Sequence, residues 1–533
     1  MDGNASAHVD PFCREHLPPR HLWPRMRFDL PELRYGERLN CAHVLLDETV
    51  ARFGPDRPCL RGAGIDWTYG ELLCRADQIA HVLTADLGLV PGNRVLLRGP
   101  NEPWLVACWL GVLKAGCVAV ATMPMLRAGE LATIAELARP AVALCHADFL
   151  DELPEMRTVA YPDDLAARAA RHERPFPDVA TAADDVALLA FTSGTTGRPK
   201  ATMHFHRDVL AIADTFSRCL LKVRPDDVVA GTPPIAFTFG LGGLVVFPLR
   251  DGARTVLLPR LTPEELADAV AEHEVTVLST APTAYRAIIA AGRADRLRGL
   301  RRAVSAGEAL PAAVWHAVHD ATGVRIIDGI GSTEMLHVFI AAADEDIRPG
   351  STGRAVPGYR AAVLDDEGRP VPHGTAGHLA VQGPTGCRYL NGDRQEIYVR
   401  HGWNYTGDTY VRDDDGYFWY QARSDDMIVS SGYNISGPEV EQALLSHPDV
   451  VDCAVVAAPD ERRGAVVHAF VVLRTGATAD ATALQEHVKA TIAPFKYPRM
   501  VEFVDVLPRT TTGKLQRYRL RELVGTRAGT AQR

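Results

Sequence analysis

Between Asp185 and Glu334, short apolar runs rich in β-formers alternate with helical patterns, and this alternation restricts the chain more than any other feature. The runs Val186 to Phe191, Ala253 to Leu258, Val275 to Ser279 and Val324 to Ile327 read as strands. Strands alternating with helices build parallel sheets whose faces the helices cover. One helix start is written into the chain: Thr262-Pro263-Glu264-Glu265 supplies an N-cap, a proline at the first helical position and a capping-box glutamate. The earlier segment repeats the alternation, with a helix over Tyr69 to Leu83 and a strand over Arg94 to Leu97.

At 533 residues the chain is too long for one hydrophobic core, so two or more domains are expected. Past Asp415-Gly416 and the aromatic cluster Tyr417 to Tyr420 the pattern becomes compact and mixed. Helices are expected over Pro438 to Leu445 and Ala481 to Ile492, and strands over Val451 to Ala457, Val466 to Leu473 and Val501 to Val506. That is the make-up of a small α+β domain. The expected division is 1–424 and 425–533, with Val524 to Arg533 a frayed tail.

Composition excludes several classes. With 47% hydrophobic and 23% charged residues the chain is globular. A formal net charge of -9 argues against general binding to nucleic acid or an anionic membrane. The ten cysteines are scattered singly, without a C-x-x-C pair or histidines at zinc spacing, which suits a reduced, cytoplasmic protein. The first residues carry Arg14, Glu15, Pro18, Pro19 and Arg20 where a secretory signal has an apolar core. Leu105 to Leu126 is the most apolar stretch, but Lys114 interrupts it and Gly116 ends its helical part, so it reads as a buried helix feeding a buried strand.

Directly after the first strand comes Phe191-Thr-Ser-Gly-Thr-Thr-Gly-Arg-Pro-Lys200. Gly194 and Gly197 let backbone N–H groups converge, the hydroxyls of Thr192, Ser193, Thr195 and Thr196 donate hydrogen bonds, and Lys200 adds positive charge: a loop built to hold phosphate. Its spacing does not fit the G-x-x-x-x-G-K-(S/T) nucleotide-hydrolase loop. A second glycine turn, Asp328-Gly329-Ile330-Gly331-Ser332-Thr333-Glu334, follows a strand end, where ligand sites of open α/β sheets gather. Tyr405-Thr406-Gly407-Asp408, Arg423-Ser424-Asp425-Asp426, Ser430 to Ile435 and Pro508 to Lys514 come after it in order.

In this order the motifs resemble the adenylate-forming superfamily along nearly the whole chain. The resemblance implies an α/β fold, with a large N-terminal domain of helix-covered, mostly parallel sheets and a small mobile α+β C-terminal domain. It implies ATP bound by Thr192 to Gly197, Lys200, Gly307, Glu308, Ala309 and Asp328 to Thr333. Ile330 would pack on adenine, where most relatives have an aromatic residue; Thr333 would hydrogen-bond the α-phosphate; Asp408 and Arg423 would hold the ribose. Glu334 would hold Mg²⁺, a hard cation suited to carboxylate oxygen. Lys514 would be the catalytic lysine of adenylation, Asp425 the hinge, and Gly432 and Tyr433 the border of the thiol side.

The segments Pro233 to Gly243, Ser305 to Leu310 and Asp328 to His337 look like aryl-CoA ligases of the benzoate and 2-aminobenzoate type. Phe239, Gly240, Ala306, Gly307, Gly329 and His337 would then form a flat slot for an aromatic ring. Benzoate, 2-aminobenzoate and 2-hydroxybenzoate all remain open. The thiol acceptor is coenzyme A or, alternatively, the phosphopantetheine arm of a carrier protein; an inactive nucleotide-binding protein is the remaining reading.

Overall fold

The computed structural model describes residues 6–193, 199–259, 261–392, 394–423, 428–430, 433–460, 463–492, 494–509 and 515–530, with backbone alone at 193, 429, 433, 434, 464 and 525–530. A six-stranded sheet runs Thr158–Tyr161, Val142–His146, Arg94–Arg98, Val118–Thr122, Val186–Ser193 and Pro199–Phe205. Its first five strands are parallel, and the last closes an antiparallel hairpin with Val186–Ser193. The apolar stretch is the buried helix Pro103–Lys114 followed by the strand Val118–Thr122. Lys114 is tolerated in that helix because Nζ lies 2.6 Å from Asp47, 2.8 Å from Asp178 and 3.1 Å from Asp77. A buried charge persists only when paired. Among the described residues no helix is long and apolar enough to cross a membrane.

The second sheet has nine strands. Its parallel block is Pro58–Gly62, Arg254–Val256, Val228–Gly231, Val277–Thr280, Arg302–Ala306 and Ile326–Gly331. Antiparallel strands finish both edges. The capping box forms as expected: the Thr262 hydroxyl accepts from Glu265 N–H and starts the helix Pro263–Glu272. The β-rich runs are thus strands of helix-covered, largely parallel sheets, because each is apolar on both faces.

A third sheet is antiparallel and was not foreseen. It joins Arg360–Leu364, Ala376–Gln382, Val399–Arg400, Trp403–Arg412 and Phe418–Arg423. Beyond it the small α+β domain pairs Val450–Asp460 with Gly464–Leu473 and adds Met500–Phe503 in parallel, with the helices Gly437–Leu445 and Ala481–Thr491. The expectation of a frayed tail from Val524 is corrected. Arg517–Thr530 is a helix, and Leu520 and Val524, one turn apart, are buried with Ala454, Val466 and Phe470. That apolar pair holds the helix down; burying two such side chains contributes roughly 1.5–3 kcal/mol each.

Candidate active site

The hairpin sets the geometry of the phosphate-loop candidate. Thr192 pairs across it with Lys200, and Ser193 with Pro199. Gly194, Thr195, Thr196, Gly197 and the Ser193 side chain lie outside the described residues. Lys200 Nζ sits 5.7 Å from the centroid of the Tyr389 ring. Partial burial and nearby Arg394 lower its pKa, and Glu334 opposes them.

Tyr389 reaches this place because the irregular segment around it lies along the hairpin: Met203 N–H donates to Arg388 O at 2.8 Å and Leu390 N–H to Ala201 O at 2.9 Å. Its hydroxyl donates to Glu334 Oε1 at 2.6 Å. Glu334 closes the second glycine turn, and each residue of Ser332-Thr333-Glu334 is held by a different side chain. Ser332 Oγ is 3.1 Å from Tyr398 Oη. Thr333 O lies 2.8 Å from His204 Nε2. A carbonyl only accepts, so that nitrogen carries the proton. Burial pushes the His204 pKa down to about 4, which keeps the ring neutral. Tyr389, Tyr398 and His204 were not among the residues singled out from sequence; each lies far along the chain from the turn it supports, and no local pattern announces such a contact.

The candidate nucleotide residues surround the same turn. The strand Ile326–Gly331 runs beside Arg302–Ala306, with Ala306 in register with Gly329 and Ser305 with Asp328. Where the latter strand ends, Gly307 has φ +93°, a conformation that only glycine adopts without strain. Burial pushes the Asp328 carboxyl up to about 8 against the N–H groups of Leu310 and Gly329. Ile330 packs half-buried on the main core. On the third sheet Asp408 stands opposite Arg423, and Arg423 Nη1 lies 3.1 Å from Asp408 Oδ1. Gly407, just before Asp408, has φ +77°, a left-handed conformation that favours glycine.

Of the residues expected to form the aromatic slot, His337 is packed among aromatic rings. Its ring centroid lies 4.6 Å from that of Phe247, 5.3 Å from Phe216 and 5.8 Å from Phe239. Among the described residues neither ring nitrogen makes a hydrogen bond of ordinary geometry; burial pushes its pKa down to about 3, opposed by the backbone of Phe239. Gly242 makes room for it, since a Cβ there would stand 2.3 Å from His337 Cδ2. Gly240 is pressed against Pro234 O, and Gly329 faces the Val338 methyls, so their missing side chains serve backbone and sheet packing.

The small domain reaches this region through Arg509, whose Nη1 lies 3.1 Å from Glu308 Oε1 and whose Nη2 lies 2.8 Å from Asp452. Asp452 also pairs with Arg286 at 3.0 Å. Gly307 and Ala309 beside Glu308 are exposed. Asp425, Gly432, Lys514 and the Tyr433 side chain lie outside the described residues.

A carboxylate, hydroxyls and a half-buried ammonium converging at the ends of two sheets make a site for a charged, oxygen-rich ligand. Residues 46–389 match the AMP-binding enzyme family and residues 439–514 the AMP-binding enzyme C-terminal domain. The chain belongs to the AMP-binding enzyme family, the adenylate-forming enzymes, and is a ligase of the acid–thiol type. Among its relatives is the benzoate–CoA ligase of Thauera aromatica, 36% identical over 518 residues, 92% of this chain and 97% of the relative. Among solved structures, an anthranilate CoA ligase in complex with anthranoyl-AMP superposes with a TM-score of 0.89 at 32% identity, covering 94% of this chain and 100% of the other. A benzoate CoA ligase from Burkholderia xenovorans superposes with a TM-score of 0.84 at 30% identity, covering 90% and 99%.

Proposed function

We propose that this chain is an AMP-forming aryl-CoA ligase. ATP and an aromatic carboxylate give an aroyl adenylate and pyrophosphate; the thiol of coenzyme A then bonds to the carbonyl carbon, taking the aroyl group as the bond to AMP breaks and AMP leaves. A carboxylate is a poor electrophile, and joining it to AMP makes a mixed anhydride with a good leaving group.

In this reading Lys200 and the hairpin tip hold the β- and γ-phosphates, and the Thr333 hydroxyl meets the α-phosphate. Asp408 accepts the ribose hydroxyls, with Arg423 beside it, and adenine lies against Ile330 and Asp328. Glu334, a carboxylate set among hydroxyls, fits Mg²⁺, which when bound neutralises charge on the phosphoryl oxygens. Lys514 supplies an ammonium as charge builds on the α-phosphoryl group, and no side chain becomes covalently attached. Arg509, a few residues before Lys514, pairs with Glu308, which supports delivery of Lys514 to the large domain. Domain rotation about Asp425 would then bring the thiol side forward.

The acid is an aromatic one of the benzoate, 2-aminobenzoate or 2-hydroxybenzoate kind. Phe239, partly buried beside the His337 ring, supports an apolar wall for a flat ring, and the neutral imidazole behind it suits a polar ring substituent. The observation that carries the proposal is the joining of Lys200 and Glu334 through Tyr389 in a chain of this family. The test is ATP–pyrophosphate exchange with these three acids, followed by AMP release on adding coenzyme A. No exchange with any aryl acid rejects the proposal, and exchange without thioester formation on coenzyme A replaces it with the loading of a carrier protein.

A further inference from the structure

We propose that Tyr389 is a positioning residue: its hydroxyl fixes one oxygen of Glu334 so that the carboxylate presents the other to the magnesium–triphosphate complex. The inference rests on the reading of Glu334 as the metal carboxylate and adds a residue that acts on metal binding through it.

A glutamate on a turn has three side-chain torsions to settle before it can hold a cation. The 2.6 Å hydrogen bond from Tyr389 removes most of that freedom, and Tyr389 is itself held on several sides. Its N–H donates to Gln395 Oε1 at 3.0 Å, and Gln395 Nε2 donates in turn to Cys387 O at 3.0 Å and Leu22 O at 2.9 Å. Its ring meets the Tyr398 ring edge-on with centroids 5.9 Å apart. Its neighbour Arg388 is fully buried, paired with Asp208 at 2.8 Å and lying over the Phe205 ring. The segment is thus tied to the core on one side and to the hairpin on the other. The Tyr389 ring stands under Lys200 Nζ, so one side chain spaces the phosphate-binding ammonium from the metal carboxylate.

The geometry admits a contrary role, in which the phenol competes for Glu334 and must release it before a metal binds. The two roles predict opposite effects of removing the hydroxyl. Partners that orient metal ligands are worth about 10–100-fold in metal affinity.

The experiment is calorimetric titration of ATP into the full chain, once with Mg²⁺ and once with EDTA, for the wild type, Tyr389→Phe, Glu334→Gln and the double variant. Phenylalanine keeps the ring against Tyr398 and under Lys200. Tyr389→Phe is expected to cut the Mg²⁺-dependent gain in ATP affinity about 10-fold, with affinity in EDTA and melting temperature unchanged and no further loss in the Glu334→Gln background. An unchanged gain, a larger gain, or equal weakening in EDTA overturns the positioning role. If Glu334→Gln alone leaves the Mg²⁺ gain intact, it is the metal reading of Glu334 that falls.

Discussion

Arg509 of the small domain and Glu308 of the large domain lie 3.1 Å apart, and the same guanidinium holds Asp452 at 2.8 Å. Arg286 of the large domain completes a four-charge cluster across the two domains. Arg509 is the last residue described before Leu515. The cluster therefore tethers Arg509, five residues before Lys514, beside Gly307 in one domain arrangement.

Weakening this cluster should penalise only the half-reaction that uses that arrangement. Asp452→Asn removes the charge facing both arginines. Partly exposed pairs are worth up to about 1 kcal/mol, so adenylate formation in a single turnover should slow by up to ~5-fold. Transfer from a supplied aryl adenylate to coenzyme A should be undiminished. Equal slowing of both steps would show that the cluster does not distinguish the arrangements.

Lys514→Ala should slow adenylate formation by ~10²–10³-fold, the scale of losing one donor to a developing oxyanion. Thioester formation from the supplied adenylate should change far less. Quench-flow measurement of each step separates them, and a comparable loss in both contradicts the assignment.

Gly242 has an ordinary helical φ of -61°, so an alanine there strains no backbone. Its Cβ would nevertheless stand 2.3 Å from His337 Cδ2. Overpacking of this kind costs typically 1–3 kcal/mol. Gly242→Ala should raise the KM for benzoate-type acids ~10-fold or more, by that same scale, and leave the KM for ATP alone. A parallel rise for ATP would place His337 in a shared scaffold.

The buried imidazole of His337 also makes a pH prediction. Its folded pKa, about 3, lies below the ordinary 6.5. The unfolded chain therefore binds this proton first, and the stability tied to the neutral ring is present above pH 6.5 and lost as the pH falls toward 3. At pH 5 the loss is about 2 kcal/mol. His337→Phe keeps an aromatic ring without a titrating nitrogen. Urea unfolding at pH 7.5 and pH 5 should show the variant losing about 2 kcal/mol less than the wild type, with other titrating groups cancelling in the difference. Identical losses would mean that His337 is already charged, or solvated, in the folded chain.

Features that depend on neighbours in sequence were legible. The Thr262 to Glu265 capping box is closed by contacts three residues apart, and the strand at Val186 declares itself by its own apolar run. The order of the motifs at Phe191 to Lys200, Asp328 to Glu334 and Tyr405 to Asp408 was readable as well, because each is a contiguous string. Leu520 and Val524 were a readable signal that went unused, since an apolar pair four residues apart marks one face of a helix. The third sheet was harder to see: Ala376–Gln382 and Trp403–Arg412 pair in antiparallel fashion although the helix Gln395–Tyr398 and the strand Val399–Arg400 lie between them in the chain, outside the strand–helix alternation.

What sequence alone determined is the sheet-and-helix alternation, the α+β character of the last hundred or so residues and the oxygen-rich turns, which follow from periodicity and local backbone chemistry; the order of those turns carries the resemblance to adenylate-forming enzymes. Only the tertiary structure decided which distant side chains hold those turns in place. Tyr389 reaches Glu334, His204 reaches Thr333 and Arg509 reaches Glu308 across 55, 129 and 201 positions of chain. Such contacts exist because sheet order and domain packing bring remote segments together, and a hydrogen bond between remote residues leaves no periodic trace in either segment.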